Sequence, residues 1–421
     1  MQDILINTAG VMKTSRDFRG EGKARRERLR ILFLSHRLPY PPLSGGAIKR
    51  WKVVEYLAGN YDLSVAVLCA PEDLPHREAF LRLVNPVHFS ATLIHRPRNA
   101  LNLFRSWLRG LPLAVYRNDS PVLRAEVEKA SLSADVLYLD SLLVLPALPE
   151  AFRGKIVLHA HNAEYVIWKR YAAREKNPVR RAAVLLEAGR VRRYEALACR
   201  RADRILAAAN DQVFLRRLGV NPAKWVDTSH LGDETLLDLP DIAFRGTEPA
   251  LLHVGSLDWE PNLDGLVWFL REVWDGLKER HPQLRFYILG RGGGRRLREA
   301  ARGRPGVLMP GFVPDLEPYH RRCRLFVAPV RFGGGMKVKI INAMYRGIPV
   351  LTTPVGAEGL EVMDRRHLSI SSDAAKMLRD ADHLLKDAGA WERMRDASRR
   401  HARERFDWGG VYGSLRSAIE Q

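Results

Sequence analysis

The residues best suited to chemistry lie between positions 331 and 360, where the chain reads RFGGGMKVKIINAMYRGIPVLTTPVGAEGL. A run of three glycines at 333–335 precedes two lysines, Lys337 and Lys339, and the apolar residues of a predicted helix. A glycine loop that leads into a helix presents backbone N–H groups to an anion, and lysines at the same place add positive charge. The segment therefore predicts a site for a diphosphate group. The alternative is a flexible turn before an amphipathic helix.

Small and polar residues also follow the predicted strands of the N-terminal half. They are Ser44, Gly45 and Gly46 after strand 31–34, Lys49 and Arg50 at the start of the next helix, Asp140 after strand 136–139, and His161 and Asn162 after strand 156–158. Because open α/β sheets bind ligands at the carboxyl ends of their strands, we predict that these residues line a ligand site. The alternative for His161 is a structural histidine. His159 and His161 lack carboxylate or cysteine partners at ligand spacing, so we predict no metal site.

Short apolar runs alternate with helical patterns along the chain, which predicts a doubly wound α/β architecture. The predicted strands are 31–34, 63–68, 136–139, 156–158 and 204–208 and, after the pattern restarts, 251–254, 285–289, 307–309, 325–328 and 350–353. A chain of 421 residues is too long for one ordinary core. We therefore predict a disordered basic arm at 1–30, an N-terminal domain at 31–237, a linker at 238–249, a C-terminal domain at 250–400 and a last helix at 401–421.

The chain is strongly basic, with a net charge of +20 from 68 basic and 48 acidic residues. Residues 169–204 hold twelve of the basic residues and four acidic ones. Such an excess attracts nucleic acid, anionic lipid or anionic substrates, and no nucleic-acid-binding motif accompanies it. Residues 99–110, NALNLFRSWLRG, place aromatic and apolar side chains beside arginines, so we predict an anionic membrane surface as a partner. The alternatives are a solvated helical face and core packing of residues 104–108.

The sequence also carries signals about the compartment. No stretch supplies the run of apolar residues that a membrane-spanning helix needs, and residues 1–30 contain no apolar signal-peptide core. The cysteines Cys69, Cys199 and Cys323 are scattered and form no disulfide or metal pattern. These features predict a protein of a reducing, cytoplasmic compartment.

Five segments, in order, carry a resemblance to a known family. They are RLPYPPLSGGAIKRW at 37–51, LHAHNAEY at 158–165, HVGSLDWEPNLDGLVWF at 253–269, GFVPDLEPY at 311–319 and the segment 331–360. Together they resemble glycosyltransferase family 4, retaining enzymes of the GT-B fold, and most closely the branch linked to exopolysaccharide and exosortase (PEP-CTERM) gene systems. The resemblance implies two facing Rossmann-like doubly wound α/β domains with a cleft between them.

The resemblance also implies roles for residues of the C-terminal half. Those that would contact a nucleotide-sugar donor are Gly255, Ser256, Phe312, Val313, Gly333, Gly334, Gly335, Asn342 and Glu358. Lys337 and Lys339 would pair with the diphosphate, in place of an arginine that most family members carry near Ser256. Asn342 stands where the family usually has its second glutamate, and an amide can still bind ribose hydroxyls. Core packing is the alternative role for Phe312, and an exposed loop carboxylate is the alternative for Glu358.

In the N-terminal half, the resemblance places His161 beside the reacting sugar, and Gly45 and Gly46 would let the donor approach the backbone. The function implied is retaining transfer of a sugar to a glycan or lipid-linked glycan acceptor in exopolysaccharide biosynthesis, without a metal or other cofactor. A transferase-like protein with weak or no catalysis is the alternative, motivated by Asn342 and the missing arginine. A GT-B epimerase or phosphorylase is a third reading, and a nucleic-acid-binding role rests on charge alone.

Overall fold

The computed structural model describes residues 28–43, 45–229 and 231–421. The predicted disordered arm at 1–30 lies outside these residues except for its last three, and Ser44 also lies outside them. The strands are β1 (Arg30–Ser35), β2 (Asp62–Cys69), β3 (His88–Leu93), β4 (Val136–Leu139), β5 (Lys155–Ala160), β6 (Arg204–Ala207), β7 (Trp225–Asp227), β8 (Glu248–Val254), β9 (Arg285–Leu289), β10 (Val307–Gly311), β11 (Cys323–Ala328), β12 (Val350–Thr352) and β13 (Ser369–Ile370).

Helices connect these strands. They are α1 (Gly45–Asn60), α2 (Arg77–Val84), α3 (Ala100–Leu108), α4 (Leu113–Asn118), α5 (Pro121–Ser131), α6 (Glu164–Ala172), α7 (Pro178–Arg201), α8 (Ala209–Leu215), α9 (Glu260–Phe269), α10 (Asp275–Arg280), α11 (Gly294–Ala301), α12 (Glu317–Arg322), α13 (Val338–Arg346), α14 (Pro354–Ala357), α15 (Ala374–Lys386), α16 (Ala388–Arg405) and α17 (Trp408–Glu420). A π-helical segment, Leu270–Trp274, joins α9 to α10. None of the helices in the described part of the chain is long and apolar enough to cross a lipid bilayer.

The strands form two parallel sheets. The first has the order β3-β2-β1-β4-β5-β6-β7 and the second the order β10-β9-β8-β11-β12-β13. In each sheet the strand order reverses once, between β1 and β4 and between β8 and β11. The carboxyl ends of the strands open a crevice at such a reversal. The predicted fold class of two doubly wound α/β domains is therefore confirmed, and each domain offers its binding crevice at a strand end.

The predicted linker at 238–249 is held against the C-terminal domain. Three arginines of α13 and α16 donate hydrogen bonds to its backbone carbonyls, Arg346 to Pro240 (2.9 Å), Arg395 to Ile242 (2.6 Å) and Arg399 to Leu239 (3.0 Å). Strand β8 begins at Glu248, so the last two residues of the predicted linker already pair within the second sheet. The connection is therefore an ordered part of the C-terminal domain's surface.

The end of the chain returns to the N-terminal domain. The predicted last helix at 401–421 consists of the end of α16 and the whole of α17. Helix α17 contacts β5, β6 and β7 of the first sheet. Its Tyr412 stacks on Tyr56 with ring centroids 4.7 Å apart, and Lys155 of β5 donates to the Ile419 carbonyl at 2.8 Å. The chain therefore connects the two domains twice.

Candidate functional site

The glycine loop 333–335 of the C-terminal domain lies directly against the N-terminal domain. A Cβ atom added at Gly334 would lie 2.9 Å from a side-chain carbon of Ile167 in α6. One added at Gly335 would lie 2.2 Å from Oδ1 of Asn162, and Gly335 has a φ of +67° that other residues rarely adopt. Only glycine permits so close an approach of backbone to the neighbouring domain. The structure therefore brings this predicted loop together with the predicted segment 161–162.

Lys339 belongs to the first turn of α13, and its side chain reaches the end of β8, in the crevice of the second sheet. Its ammonium donates a hydrogen bond to Oδ1 of Asn262, and a Cβ atom on Gly255 would lie 3.5 Å from Nζ. Burial and the nearby charge of Lys337 lower the pKa of Lys339 to about 7. A partly buried cation with a neutral partner, in the first turn of α13, is well suited to bind a phosphate group.

Lys337 is placed differently from Lys339. Its Nζ folds back to the carbonyls of Gly334 (3.0 Å) and Gly335 (2.5 Å). Burial lowers the pKa of Lys337 to about 8, although the charges of Glu358 and Asp211 oppose this shift. Its direct contacts are with the loop itself, so a contact of Lys337 with the diphosphate stays a prediction.

Asp211 occupies part of the predicted anion site. Its buried carboxylate accepts hydrogen bonds from the backbone N–H groups of Ala163 (2.9 Å) and Gly335. Burial raises the pKa of Asp211, while these hydrogen bonds and Lys337 act against the rise. A phosphate group at the glycine loop would therefore have to displace this carboxylate or bind through the other amides.

Glu358 is paired with an arginine of the N-terminal domain. Arg170 of α6 donates to both carboxylate oxygens of Glu358, at 2.7 and 2.8 Å, and also to the Gly333 carbonyl at 2.6 Å. Arg174, two residues beyond the end of α6, donates to the carbonyl of Arg331 at 2.8 Å. Helix α6 thus holds the glycine loop from the opposite side of the cleft, and a sugar or ribose contact of Glu358 stays a prediction.

A hydrogen-bonded network joins the strand ends of the N-terminal domain. The buried carboxylate of Asp140 accepts from the Ser35 hydroxyl (3.0 Å), from Nε of Arg50 (2.5 Å) and from Nε2 of His161 (3.1 Å). Burial alone would raise the pKa of Asp140, but the charge of Arg50 and the neighbouring His161 hold it below its usual value. Since the carboxylate accepts, Nε2 of His161 carries the proton, and the ring is fixed in one orientation.

The prediction that the histidines lack a carboxylate partner is wrong. Asp140, His159 and His161 have ligand atoms within 4.8 Å of one another, because adjacent strands bring together residues that are distant in sequence. Arg50 already pairs with Asp140, and a divalent cation at that carboxylate would meet like charge. The Tyr138 hydroxyl lies 2.8 Å from Nδ1 of His159. The group therefore fits a hydrogen-bonded network better than a metal centre.

The N-terminal glycines lie where the two domains converge. A Cβ atom on Gly45 would lie 2.8 Å from Cβ of Val338, so the first turn of α1 touches the first turn of α13. Among the described residues, and apart from its neighbours in the chain and the backbone of α1, no atom lies within 4 Å of the corresponding position on Gly46. Lys49 does not face the cleft as its position suggests, because it is buried and donates to the Thr228 hydroxyl at 3.0 Å.

Phe312 and Val313, two of the predicted donor-contact residues, follow the end of β10. Phe312 has 42% of its surface accessible, so the alternative of core packing is wrong. The guanidinium of Arg291 lies 4.5 Å from its ring centroid, in a cation–π contact. Val313 is partly buried. At the end of β8, the exposed Ser256 accepts a hydrogen bond from Asn262 through its carbonyl (2.8 Å). Contacts of these residues with a donor stay predictions.

Asn342 holds the segment that leaves the N-terminal domain. Its Oδ1 accepts the backbone N–H of Asp233 at 2.9 Å, and a Cβ atom on Gly232 would lie 1.7 Å from the same oxygen. The Gly232 carbonyl in turn accepts from the indole of Trp408 at 3.0 Å. Asn342 therefore has a structural partner in this structure, and its contact with ribose stays a prediction.

Replacing Asn342 with leucine should reduce stability. The N–H of Asp233 would lose its acceptor, and an unsatisfied amide costs about 1–3 kcal/mol. Urea denaturation of both proteins would measure the difference, and Asn342→Asp, which keeps an acceptor oxygen, provides the matched control. A leucine variant as stable as the original chain would contradict this role.

Sequence reasoning missed three residues that the structure places at the site. Asp211 follows the end of β6 within α8, so the strand-end rule that selected Asp140 could have found it. Asn262 lies inside the motif 253–269, but nothing marks it there as the partner of Lys339. Arg170 belongs to the basic stretch 169–204 and carries no local signal that separates it from its neighbours.

Known proteins resemble this chain in sequence. Residues 248–387 match the family described as glycosyl transferases group 1. An uncharacterized 44.6 kDa protein in the cps region of Klebsiella pneumoniae is 22% identical over 399 residues, which cover 92% of this chain and 98% of that protein. The matched family segment begins at β8 and contains the glycine loop and both lysines.

Solved structures resemble the whole chain. Alr3699/HepE from Anabaena, in complex with UDP-glucose, is 15% identical with a TM-score of 0.64 over 93% of this chain and 100% of that one. Sucrose-phosphate synthase from Thermosynechococcus elongatus is 18% identical with a TM-score of 0.64 over 94% of this chain and 99% of that one. The fold is GT-B. Together with the family match, the GT-B fold supports a glycosyltransferase.

Proposed function

We propose that this protein is a retaining glycosyltransferase that moves a sugar from a nucleotide-sugar donor to a glycan or lipid-linked glycan acceptor in exopolysaccharide biosynthesis. One observation carries the proposal: the glycine loop 333–335 of one domain, which Lys339 closely follows in sequence, meets the segment of His161 in the other domain. The match of residues 248–387 to group 1 glycosyl transferases supports donor binding by the C-terminal domain. The UDP-glucose bound to HepE makes UDP-sugars the first donors to test, and the cps-region relative supports the exopolysaccharide role.

The proposed reaction needs charge neutralisation and orientation. The bond between the sugar's C1 and the diphosphate oxygen breaks as the acceptor hydroxyl attacks on the same face, and its proton passes to the departing phosphate. Lys339 would neutralise the charge that develops on that phosphate. His161, oriented by Asp140, would hold the sugar in register with the acceptor. Protein cations supply the positive charge in this scheme, so we propose that transfer needs no metal or other cofactor.

We place this reaction in the cytoplasm, at the inner face of the cytoplasmic membrane, where a lipid-linked acceptor is accessible. The three cysteines, Cys69, Cys199 and Cys323, are free and buried, which suits a reducing compartment. The net charge of +20 would favour both the anionic donor and an anionic lipid surface. We propose no nucleic acid as a partner.

A nucleotide-sugar-binding or assembly protein with weak or no catalysis is the second candidate. Asn342 favours it, because an amide replaces the glutamate that is usual in the resembled family, and its oxygen is bound to Asp233. A panel of nucleotide-sugars separates the two candidates, with release of the nucleoside diphosphate measured over hours. We expect slow hydrolysis of one donor. Donor binding in calorimetry without any hydrolysis or transfer would favour the second candidate, and no binding of any donor would contradict both.

The affinity for UDP should fall as pH rises above 7. The pKa of Lys339 is about 7 in the unliganded protein, and the diphosphate would bind the protonated form and raise that pKa. Above pH 7 binding must therefore take up a proton, and the affinity should drop by up to about tenfold per pH unit. Titration calorimetry at pH 7 to 9, in buffers of different ionisation enthalpy, would show this uptake. A flat profile, or one unchanged in Lys339→Ala, would contradict the assignment.

A further inference from the structure

Helix α3 is turned with its polar side toward the protein. Asn102 and Ser106, one turn apart, are buried, and Nδ2 of Asn102 donates to the Pro97 carbonyl at 2.8 Å. The apolar side chains of the same helix are exposed: Leu101, Leu103, Phe104 (62% accessible), Trp107 (50%) and Leu108 (72%). The alternative that residues 104–108 pack in the core is therefore wrong. A surface helix of a soluble protein normally turns its apolar side toward the core and its polar side toward solvent.

The first half of α7 is exposed as well. Residues 178–186 are exposed except for one partly buried position, and they include Val179 and Leu186 beside Arg180 and Arg181. Arg190 of α7 binds the two helices together, because it donates to the Ser106 carbonyl at 2.8 Å and lies 5.1 Å from the ring centroid of Trp107. We call residues 100–109 and 178–186 the α3–α7 surface.

Charge and shape on this surface suit an anionic lipid. An apolar depression of about 500 Å³ is lined by Ala100, Leu103, Phe104, Trp107 and Leu108. A second depression of about 330 Å³ beside it shares Leu108 and is lined also by Arg105, Arg109 and Tyr116. Neither 100–109 nor 178–186 contains an acidic residue. Apolar and cationic walls side by side match the acyl chains and the phosphate headgroups of an anionic bilayer.

The basic stretch 169–204, whose excess charge supported the predicted membrane partner, contributes to the α3–α7 surface only in part. Several of its arginines bind groups of the protein itself: Arg170, Arg174, Arg190, Arg201 and Arg204. Arg180 and Arg181 are exposed at the start of α7. Arg180 and Arg181 are the cations of this stretch that belong to the α3–α7 surface, whereas the exposed Lys176, Arg192, Arg193 and Arg200 lie outside it.

We propose that the α3–α7 surface docks on an anionic lipid bilayer, with Phe104, Trp107 and Leu108 inserted and the arginines at the headgroups. This inference rests on the proposed function only in expecting the acceptor at a membrane. A second copy of the chain fits the surface less well. In a symmetric contact the same patch faces itself, so arginines would oppose arginines.

Vesicle co-sedimentation of the full chain tests the proposal. Vesicles of phosphatidylcholine alone are compared with vesicles that also contain phosphatidylglycerol, at low and high salt. We expect binding to the anionic vesicles only, and a steep loss with salt. Two double variants, Phe104→Ser/Trp107→Ser and Arg105→Glu/Arg109→Glu, should each reduce vesicle binding by about tenfold or more. The matched controls are Leu132→Ser, at an exposed end of α5, and Arg298→Glu/Arg302→Glu in the C-terminal domain.

The possible outcomes separate this proposal from its alternatives. Equal binding to both kinds of vesicle, binding to neither, or unchanged binding by the α3 variants would overturn it. Concentration-dependent dimers that disappear in Phe104→Ser/Trp107→Ser, without vesicle binding, would assign the surface to a second copy. Vesicle binding requires no turnover, so its failure with donor hydrolysis intact contradicts only this inference. Loss of donor hydrolysis with vesicle binding intact contradicts only the proposed function.

Discussion

Replacing Lys339 with alanine should lower kcat/KM by about 10²–10³-fold, as the loss of one preorganised charge at a developing anion does. The ammonium lies at the end of β8 beside Gly255 and donates to the neutral amide of Asn262. Among the residues that the structure describes, Lys339 forms no ion pair with a carboxylate that would have to break before a phosphate binds. Steady-state kinetics with the donor found in the nucleotide-sugar panel would measure the loss.

Two further lysine variants make this result specific. Lys129→Ala, at an exposed position of α5, should leave kcat/KM unchanged. Lys337→Ala should reduce it less than Lys339→Ala, because the Lys337 ammonium bonds to the carbonyls of Gly334 and Gly335. Unchanged turnover and nucleotide affinity in Lys339→Ala would show that this lysine does not bind the donor. A larger loss of kcat/KM in Lys337→Ala than in Lys339→Ala would show that Lys337 is the main phosphate-binding lysine.

Replacing Arg170 with alanine should lower kcat/KM by roughly 10- to 100-fold, since hydrogen bonds to charged groups contribute about 1.5–3 kcal/mol. Arg170 is the bidentate partner of Glu358 and also binds the Gly333 carbonyl, so the variant would release the glycine loop from α6. Lysine lacks the planar fork that makes this contact, and Arg170→Lys should recover only part of the activity.

A double-mutant cycle with Glu358 tests whether the pair acts as a unit. If Arg170 acts by holding Glu358 and the loop, the double variant Arg170→Ala/Glu358→Ala should be little worse than Arg170→Ala alone. Arg174→Ala, which removes a neighbouring bond to the Arg331 carbonyl, is the matched control and should have a smaller effect. Losses that add fully would show that the two side chains act independently.

The central strands of both sheets could be predicted because they are buried on both faces. β1, β4 and β11 consist almost entirely of buried residues, which leave continuous apolar runs in the sequence. β3 (HFSATL) and β7 (WVD) were not predicted, since both lie at the edge of the first sheet and are only partly buried. These two edge strands lack the apolar run that marks a central strand.

The residues of the candidate site were also predictable only in part. Residues attached to a strand end, such as Asp140 and His161, could be predicted because topology brings strand ends together. Arg170 and Glu358 are 188 positions apart and belong to different domains, so no local sequence pattern predicts their pairing. For α3, the sequence predicted an exposed surface and left core packing of residues 104–108 as an alternative. The burial of Asn102 and Ser106 decides between them, because it turns the apolar side of the helix outward.

The packing of α17 has a consequence for how the chain is made. Trp408, Val411, Leu415, Ala418 and Ile419 are buried on a helix that contacts the sheet of the N-terminal domain. Domains generally fold in order as they leave the ribosome, but these side chains emerge only after the C-terminal domain. Part of the N-terminal domain's sheet therefore stays uncovered while the entire C-terminal domain is synthesised. Nascent chains would need protection during that interval, and the N-terminal half expressed alone would present an apolar surface to solvent.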